Sequence, residues 1–545
     1  MTAQIGKGIR GLGVYCDVLH GDTPLTEDIL GKPGGRDSSG YTIRGIVLSG
    51  SQKEVFLKDG LVPDPKVYSC GLPILGIGYG LQRMNLDNGG LSETLFEREY
   101  GHVEVSGNFP DADEVKQRFF AGLDRSVSLD DIKKGKALSG TGKYSINSWM
   151  SHGDTLTQLA PGFKQYGTSK GGLPALLVHD SKPWFGLDFH PEANDCERGP
   201  EILAAFVFGV AGCTSYWSME YFAEVAFMSI SEQVEKNPVV LLVSGGVDSM
   251  VLANMLLKVL DPDKVHLMYM DTGLMRKDET KSVKASLESL GAKHIHIIRC
   301  EREFLMALMG IKDPETKRKT IGDLFMKIQE REMKRLGLDS AFLAQGTIYP
   351  DLVESGKGMV GKAGFVKSHH NVGSPLVEAK RESGQLIEPL DRLYKDEVRT
   401  LGRLLGMSED IINRHPYPGP GLAVRILGEV SQEKCEILRA ADAIFIEELK
   451  KRKGKSGKRL YDEIWQAFAV LLPLQSVAVA GDKRKDGWVL SLRAVTSIDA
   501  MTAGVYPFET KDLLEISALI TDSIKDISRV TYDISNKPPA TIEWE

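Results

Sequence analysis

Short apolar runs, punctuated by glycine, proline and polar turns, dominate the first two hundred residues. Those at 45–48 (GIVL), 72–77 (LPILGI), 176–178 (LLV) and 184–189 (WFGLDF) have strand length and lie between polar turns and stretches of helical period. This alternation predicts an α/β sheet domain up to about residue 212. From Trp217 the stretch MEYFAEVAFMSISEQVEK carries a helical pattern into Asn237-Pro238, and the strand-like VVLLV comes next at 239–243. A domain boundary is expected just before that helix. Further βα units then predict strands at 239–243, 265–270 and 294–298 with helices near 248–260 and 276–290. Alternation at this spacing implies a parallel, doubly wound sheet with ligands at the carboxyl ends of its strands. The dense turn PYPGPG at 416–421 breaks the pattern. Strands at 477–480 and 488–492 and a helix near 510–525 then predict a small α+β domain. Three domains are expected, at 1–213, 214–415 and 416–545.

Composition narrows this picture only modestly. The chain has 545 residues, too many for one core, with 26% charged and 42% hydrophobic residues and a net charge of −7. That balance gives no general attraction to nucleic acid. The basic run KKRKGKSGKR at 450–459 is short and broken by glycine, and it reads as a solvated loop. Six cysteines occur without CxxC pairs or metal-ligand spacing, as in a reduced protein. No run approaches the roughly 18 apolar residues of a membrane span. The N-terminal MTAQIGKGIRGLG lacks a signal-peptide core. A soluble cytoplasmic protein, bound to neither membrane nor nucleic acid, is expected.

The richest chemistry lies where VVLLV runs into Ser244-Gly-Gly-Val-Asp-Ser249 and then a helix. Gly245 and Gly246 let the backbone approach a ligand closely, and the free N–H groups opening the helix at Val247 suit an anion. Ser244 and Ser249 add hydroxyl donors, and Asp248 can hold a magnesium ion. Asp271, in the polar turn Met270-Asp-Thr-Gly-Leu-Met-Arg276, ends the next strand at the same sheet edge, where adenosine would fit. A ligand-free glycine turn is the plainer alternative, but serine at both ends and an acid inside favour a nucleotide. The loop has no terminal lysine and so is not GxxxxGK[ST]. It resembles the pyrophosphate-binding loop (PP-loop) of the N-type ATP pyrophosphatases, which cleave ATP between the α and β phosphates and adenylate a substrate.

Further motifs select among such enzymes. They are FLAQGTIYPD at 342–351, KSHHNVG at 367–373, IEPL at 387–390, KDEVR at 395–399, RHPYPGPGLAVRILG at 414–428 and KPPATIEWE at 537–545. Together they closely resemble the GMP synthase family over residues 217–545. The resemblance implies attack of the C2 oxygen of xanthosine monophosphate (XMP) on the α phosphate of ATP, then displacement of AMP by ammonia. It places pyrophosphate against 244–249 with Mg²⁺, gives catalytic roles to Asp248 and Lys367, and adds His369 and His370 as pyrophosphate or lid contacts. Lys317-Arg-Lys319 matches the family's mobile lid, and Asp351 joins the metal site. XMP falls to Arg425, Lys537, Ile542 and Glu543. The last domain resembles the family's dimerisation domain, which implies a homodimer. The run at 500–506, AMTAGVY, departs from the family's usual sequence after Thr-Ala.

The N-terminal domain resembles a class I glutamine amidotransferase. The resemblance rests on Gly71 to Gln82, Glu99-Tyr-Gly101, Trp149-Met-Ser-His-Gly-Asp154 and Gly186-Leu-Asp-Phe-His-Pro-Glu192. His190 and Glu192 match its base and orienting acid. The family carries a cysteine where this chain has Gly78, and a glycine cannot form the covalent thioester. The stretch Ser49-Gly-Ser-Gln52 also departs from the family's oxyanion-hole Ser-Gly-Gly-Pro. The opening MTAQIGKGIRGLGVYCDV resembles the segment after the family's first strand, so the sheet is expected to lack a strand or the sequence to be truncated. These departures imply a lost glutaminase, with free ammonia, or ammonia from a separate glutaminase, as the amino donor. A non-catalytic nucleotide-binding regulatory paralogue, and another PP-loop adenylating enzyme, are the alternatives.

Overall fold

The structure, a computed structural model, describes residues 2–30, 42–51, 55, 60–110, 113–137, 142–354, 375–480, 483–497 and 502–545. The chain forms two compact units, one up to Tyr221 and one from Phe222 onward. Their boundary falls inside the helix Met219–Val234. The expected divisions at 213 and 415 remain a proposal.

The first unit is built on a seven-stranded mixed sheet. Its strands are β1 (Ile46–Leu48), β2 (Ile74–Ile77), β3 (Leu91–Asn108), β4 (Lys143–Gln158), β5 (Phe163–Ser169), β6 (Pro174–His179) and β7 (Trp184–Leu187), in the order β1-β2-β7-β6-β5-β3-β4. The three strands nearest the β1 edge run parallel and the rest pair antiparallel. The short apolar runs became β1, β2, β6 and β7. The long β3–β4 ribbon was not anticipated, because β4 buries Ser148, His152 and Asp154 on its inward face. Polar residues at core positions hide the two-residue hydrophobic period on which strand recognition depends.

The second unit carries the parallel sheet, with β8 (Val239–Leu242), β9 (Val265–Asp271), β10 (His294–Arg299), β11 (Phe342–Ala344) and β12 (Leu386–Ile387) in the order β10-β9-β8-β11-β12. All four pairings are parallel. The order reverses about β8, and the loop leaving its carboxyl end is Ser244–Ser249, the switch point at which such sheets bind ligands. The remainder is an α+β arrangement of β13 (Gln466–Ala480), β14 (Lys483–Thr496), β15 (Gly504–Val505) and β16 (Ile527–Tyr532) with the helices Gln432–Lys451 and Thr510–Ser523. One hydrophobic cluster runs from Val240 and Met268 through Phe304 to Ala441, Phe445 and Leu490, so the parallel sheet and the C-terminal strands share a core.

Candidate active site

In the first unit, buried β2 drives into Gly78, which caps the helix Tyr79–Asp87 at φ 55° and ψ −118°. Few side chains adopt that backbone. Gly78 N–H donates to Leu187 O (2.7 Å), and its own carbonyl accepts from Leu81 and Gln82, so strand and helix lock the turn. A Cβ built on Gly78 would lie 3.1 Å from His190 Cε1 and 3.3 Å from His190 Nε2. His190 Nδ1 meets Glu192 Oε1 at 2.9 Å, and both side chains are buried. The turn thus aims at an oriented imidazole and carries nothing to present to it.

Beside this pair lies an unanticipated cluster. His152 Nε2 sits 3.5 Å from Glu99 Oε2 and 3.6 Å from Asp188 Oδ2, while Gln82 Nε2 donates to Asp188 Oδ1 (3.4 Å). Burial pushes the Asp188 carboxyl up to about 6, although nearby His152 pulls the other way. Gln52, in the expected oxyanion stretch, lies outside the described residues.

In the second unit, the loop after β8 has the form the sequence predicts. Gly245 sits at φ +81°, and Gly246 opens the helix Val247–Val259 without a side-chain cap. Gly246 N–H donates to Ser244 Oγ (3.2 Å), Ser249 Oγ donates to Gly246 O (3.0 Å), and the two hydroxyls lie 3.2 Å apart. The N–H groups of Val247, Asp248 and Ser249 take no partner among the described residues. Together with the helix dipole they form an anion cradle.

Two residues missed as site members brace this loop. Lys395 pairs with Asp248 Oδ2, while Asp248 Oδ1 is buried without a hydrogen-bond partner among the described residues. Arg414 Nη1 donates to Gly245 O (2.9 Å) and its guanidinium pairs with Glu279. The sequence showed Lys395 and Arg414 only as parts of motifs, with no sign of their target.

Asp271 ends β9, where its carboxylate accepts from Gly273 N–H (3.2 Å) and Thr280 Oγ1 (2.8 Å). Asp351 accepts from Ile348 N–H (3.0 Å) at the start of the helix Tyr349–Glu354. The described residues contain no group of three or more His, Cys, Asp or Glu able to hold a metal. Lys367, His369 and His370 lie outside the described residues.

The residues expected for XMP fall into one neighbourhood. Arg425 is wholly buried and grips Glu543 through two bonds, Nε to Oε2 (3.1 Å) and Nη2 to Oε1 (2.8 Å), with Gln466 Nε2 donating to the same carboxylate (2.7 Å). Ile542 is buried against Phe468 and Val470. Buried Arg493 donates to Ile542 O (2.8 Å) and Thr541 O (2.7 Å) and pairs with Asp533 (2.7 Å). Lys537 pairs through its backbone with Ala503.

This neighbourhood adjoins the turn after β9. Tyr417 Oη donates to Leu274 O (2.7 Å), Leu422 N–H donates to the same carbonyl (2.8 Å), and Arg276 and Arg425 lie 5.0 and 4.9 Å from the Tyr417 ring centre. An anion cradle, a polar strand end and a tail held by buried arginines are therefore contiguous within one unit.

Such an arrangement defines a nucleotide-binding synthetase of the ATP pyrophosphatase type, joined in one chain to an amidotransferase fold. Family comparison agrees: residues 1–210 match "Glutamine amidotransferase class-I", 238–346 "Phosphoadenosine phosphosulfate reductase domain" and 454–544 "GMP synthase C terminal domain". The chain is 42% identical over all of its length, and 96% of the relative's, to the "GMP synthase [glutamine-hydrolyzing]" of Xanthomonas axonopodis pv. citri. It is 41% identical to the Haemophilus influenzae protein of the same name, covering 100% of this chain and 97% of that one. The NMN synthetase structure of Francisella tularensis matches 40% of this chain and 81% of its own, at 15% identity and a TM-score of 0.29, too low to bear on the fold. The chain belongs to the GMP synthase family.

Proposed function

We propose that this chain converts XMP to GMP with ATP and takes its amino group from ammonia rather than from glutamine. The observation that carries the ammonia reading is the elbow: His190 and Glu192 remain paired and buried, and the position they face is a glycine. Without a nucleophile there is no thioester, and loss of a nucleophile from such a triad costs turnover on the order of a millionfold in the subtilisin example.

In the synthetase unit the 244–249 cradle would hold the β and γ phosphates, with adenosine at the end of β9 near Asp271. Lys367, His369 and His370 belong to the same reading as pyrophosphate contacts. The tail at 537–543, contiguous with the turn after β9, would hold XMP so that its C2 oxygen meets the α phosphorus. Arg425 contributes by holding Glu543 in place. Bond formation there releases pyrophosphate, and ammonia then replaces AMP at C2. Aligning two anionic nucleotides is the main task. A magnesium ion bound with ATP fits Asp248, whose Oδ1 has no partner among the described residues, with Asp351 as the proposed second carboxylate, and would offset charge on the departing pyrophosphate. No helix among the described residues is long and apolar enough to cross a membrane, and a cytoplasmic homodimer completes the reading.

The test is pyrophosphate and GMP formation from ATP, Mg²⁺ and XMP, with glutamine and ammonium chloride supplied separately. Ammonia, not ammonium, is the nucleophile, so the ammonium reaction should climb from neutral to mildly alkaline pH while glutamine supports little. Robust glutamine-dependent GMP formation by the purified chain overturns the ammonia reading. Nucleotide binding without pyrophosphate release from either donor would instead make the chain a regulatory paralogue.

A further inference from the structure

The family resemblance matches Lys317-Arg-Lys319 to a mobile lid. The structure instead builds these residues into the first turns of the helix Pro314–Arg335, whose start is capped by Asp313 accepting from Thr316 N–H (2.8 Å). Lys317 is wholly buried. A buried ammonium is costly unless all three of its donors are used, and here they are. Its Nζ donates to Ala423 O (3.1 Å), Ile426 O (2.8 Å) and Glu545 Oε2.

Those acceptors belong to two separate segments. Ala423 and Ile426 flank Arg425 in the turn after the proline-glycine stretch, and Glu545 lies two residues beyond Glu543. The same contact is reinforced by Arg318, which donates to Glu545 O, and by Gly428 N–H, which donates to Glu545 Oε1 (3.2 Å). One helix therefore holds both the turn that carries Arg425 and the segment that carries Glu543.

We propose that Lys317 is a positioning residue for the XMP half of the site, latching the 541–545 segment to the turn that carries Arg425. The inference rests on the reading of that segment as the XMP site. Its role is distinct from charge neutralisation at a phosphate, since no face of the ammonium remains open to a ligand. Burial also lowers the Lys317 pKa, against the pull of Glu545, which makes the latch sensitive to loss of its partner. Because the helix comes after β10, the latch ties the tail directly to an element of the nucleotide-binding fold.

The experiment compares Glu545→Gln, Glu545→Ala, Lys317→Met and the Lys317→Met/Glu545→Ala double variant in the full chain, with ammonium chloride as donor. The readouts are KM for XMP, KM for ATP, kcat and the thermal midpoint. Each single variant should raise KM for XMP by about tenfold or more while KM for ATP changes by less than about twofold. The double variant should cost clearly less than the sum of the two single changes, because both break the Lys317–Glu545 contact. An unchanged KM for XMP in both Glu545 variants overturns the proposal. So does a parallel rise in both KM values that tracks the fall in thermal midpoint, since that marks a purely structural ion pair. If Lys317→Met does not fold, the Glu545 variants decide the matter alone. Failure of the unaltered chain to release pyrophosphate with XMP would sink the parent reading instead.

Discussion

Gly78 shows how a single position separates geometry from chemistry. The turn keeps its positive φ, its bond to Leu187 and its aim at His190, so the backbone remains shaped for a nucleophile that is not there. Gly78→Cys should cost about 1–3 kcal/mol of stability, because a side chain must adopt that backbone, and His190 must yield by a few tenths of an ångström. It should also raise glutamine-dependent ammonia release on the order of a hundredfold or more, whereas Gly78→Ala should carry the same strain and gain nothing. Measuring glutamate formed by both variants checks this. No gain from the cysteine would mean that the loss extends beyond the nucleophile, to the 49–52 stretch. At this scale the sequence was informative where a motif fixes both residue type and backbone, as at Gly78, His190, Glu192 and 244–249. It was silent on pairing across the fold. Arg425 and Glu543, each expected to touch XMP, neutralise one another across 118 positions, and Lys395 finds Asp248 across 147. No local pattern encodes such partners.

Elements were legible where hydrophobic period and turn chemistry agreed. The strand and helix around the phosphate loop, the β9 and β10 strands and the late helix Thr510–Ser523 all lie close to where the pattern places them. The basic run at 450–459 is more fully paired with neighbouring carboxylates than a solvated loop would be. Arg452 pairs with Glu448, Asp512 and Glu515, and Arg459 pairs with Asp410 and Asp462. Strand β13 proved much longer than its apolar core at 477–480 suggested. It pairs with β14, bridges Ile426 through Leu471 and lies at the edge of its sheet, with Leu474, Val477 and Val479 exposed, Val479 to 77%. An outer strand with apolar side chains facing water invites another strand or surface, and in the proposed homodimer a second copy of this chain would supply one by symmetry. Val479→Asp should therefore shift the chain from dimer to monomer in analytical ultracentrifugation, with little change in thermal midpoint. A native chain that sediments as a monomer at micromolar concentration would remove the dimer from the functional reading.

Across the whole molecule, the two units carry buried groups with opposite acid responses. In the synthetase unit, burial and the facing His294 and His296 lower His266 to about 4, and burial lowers His415 to about 3. His415 is fully satisfied when neutral: Nε2 donates to Tyr461 O (2.8 Å) and Nδ1 accepts from Ala467 N–H (3.1 Å), so a second proton would orphan that amide. Histidines whose folded pKa is depressed leave the unfolded chain binding more protons below about pH 6.5, so their stabilisation is lost as pH falls from there toward 4 and 3. Asp188 in the first unit has the reverse sign. Its carboxyl is raised from 3.8 to about 6 by burial, so the folded unit holds the extra proton and stability is lost as pH rises through that interval. The groups facing it are His152, Gln82, Glu99 and His190, and among these the imidazoles favour the charged carboxylate. A shift of this size corresponds to about 3 kcal/mol above pH 6. Asp188→Asn keeps the shape, removes the charge and can still accept from Gln82. It should raise the amidotransferase unit's unfolding temperature at about pH 8 and have little effect at about pH 4.5, where the native carboxyl is already protonated. Calorimetry at the two pH values decides it. An equal shift at both would mean that packing, not the buried charge, sets the cost, whereas a fall at pH 8 would mean that the Asp188–His152 contact is worth more than the desolvation it requires.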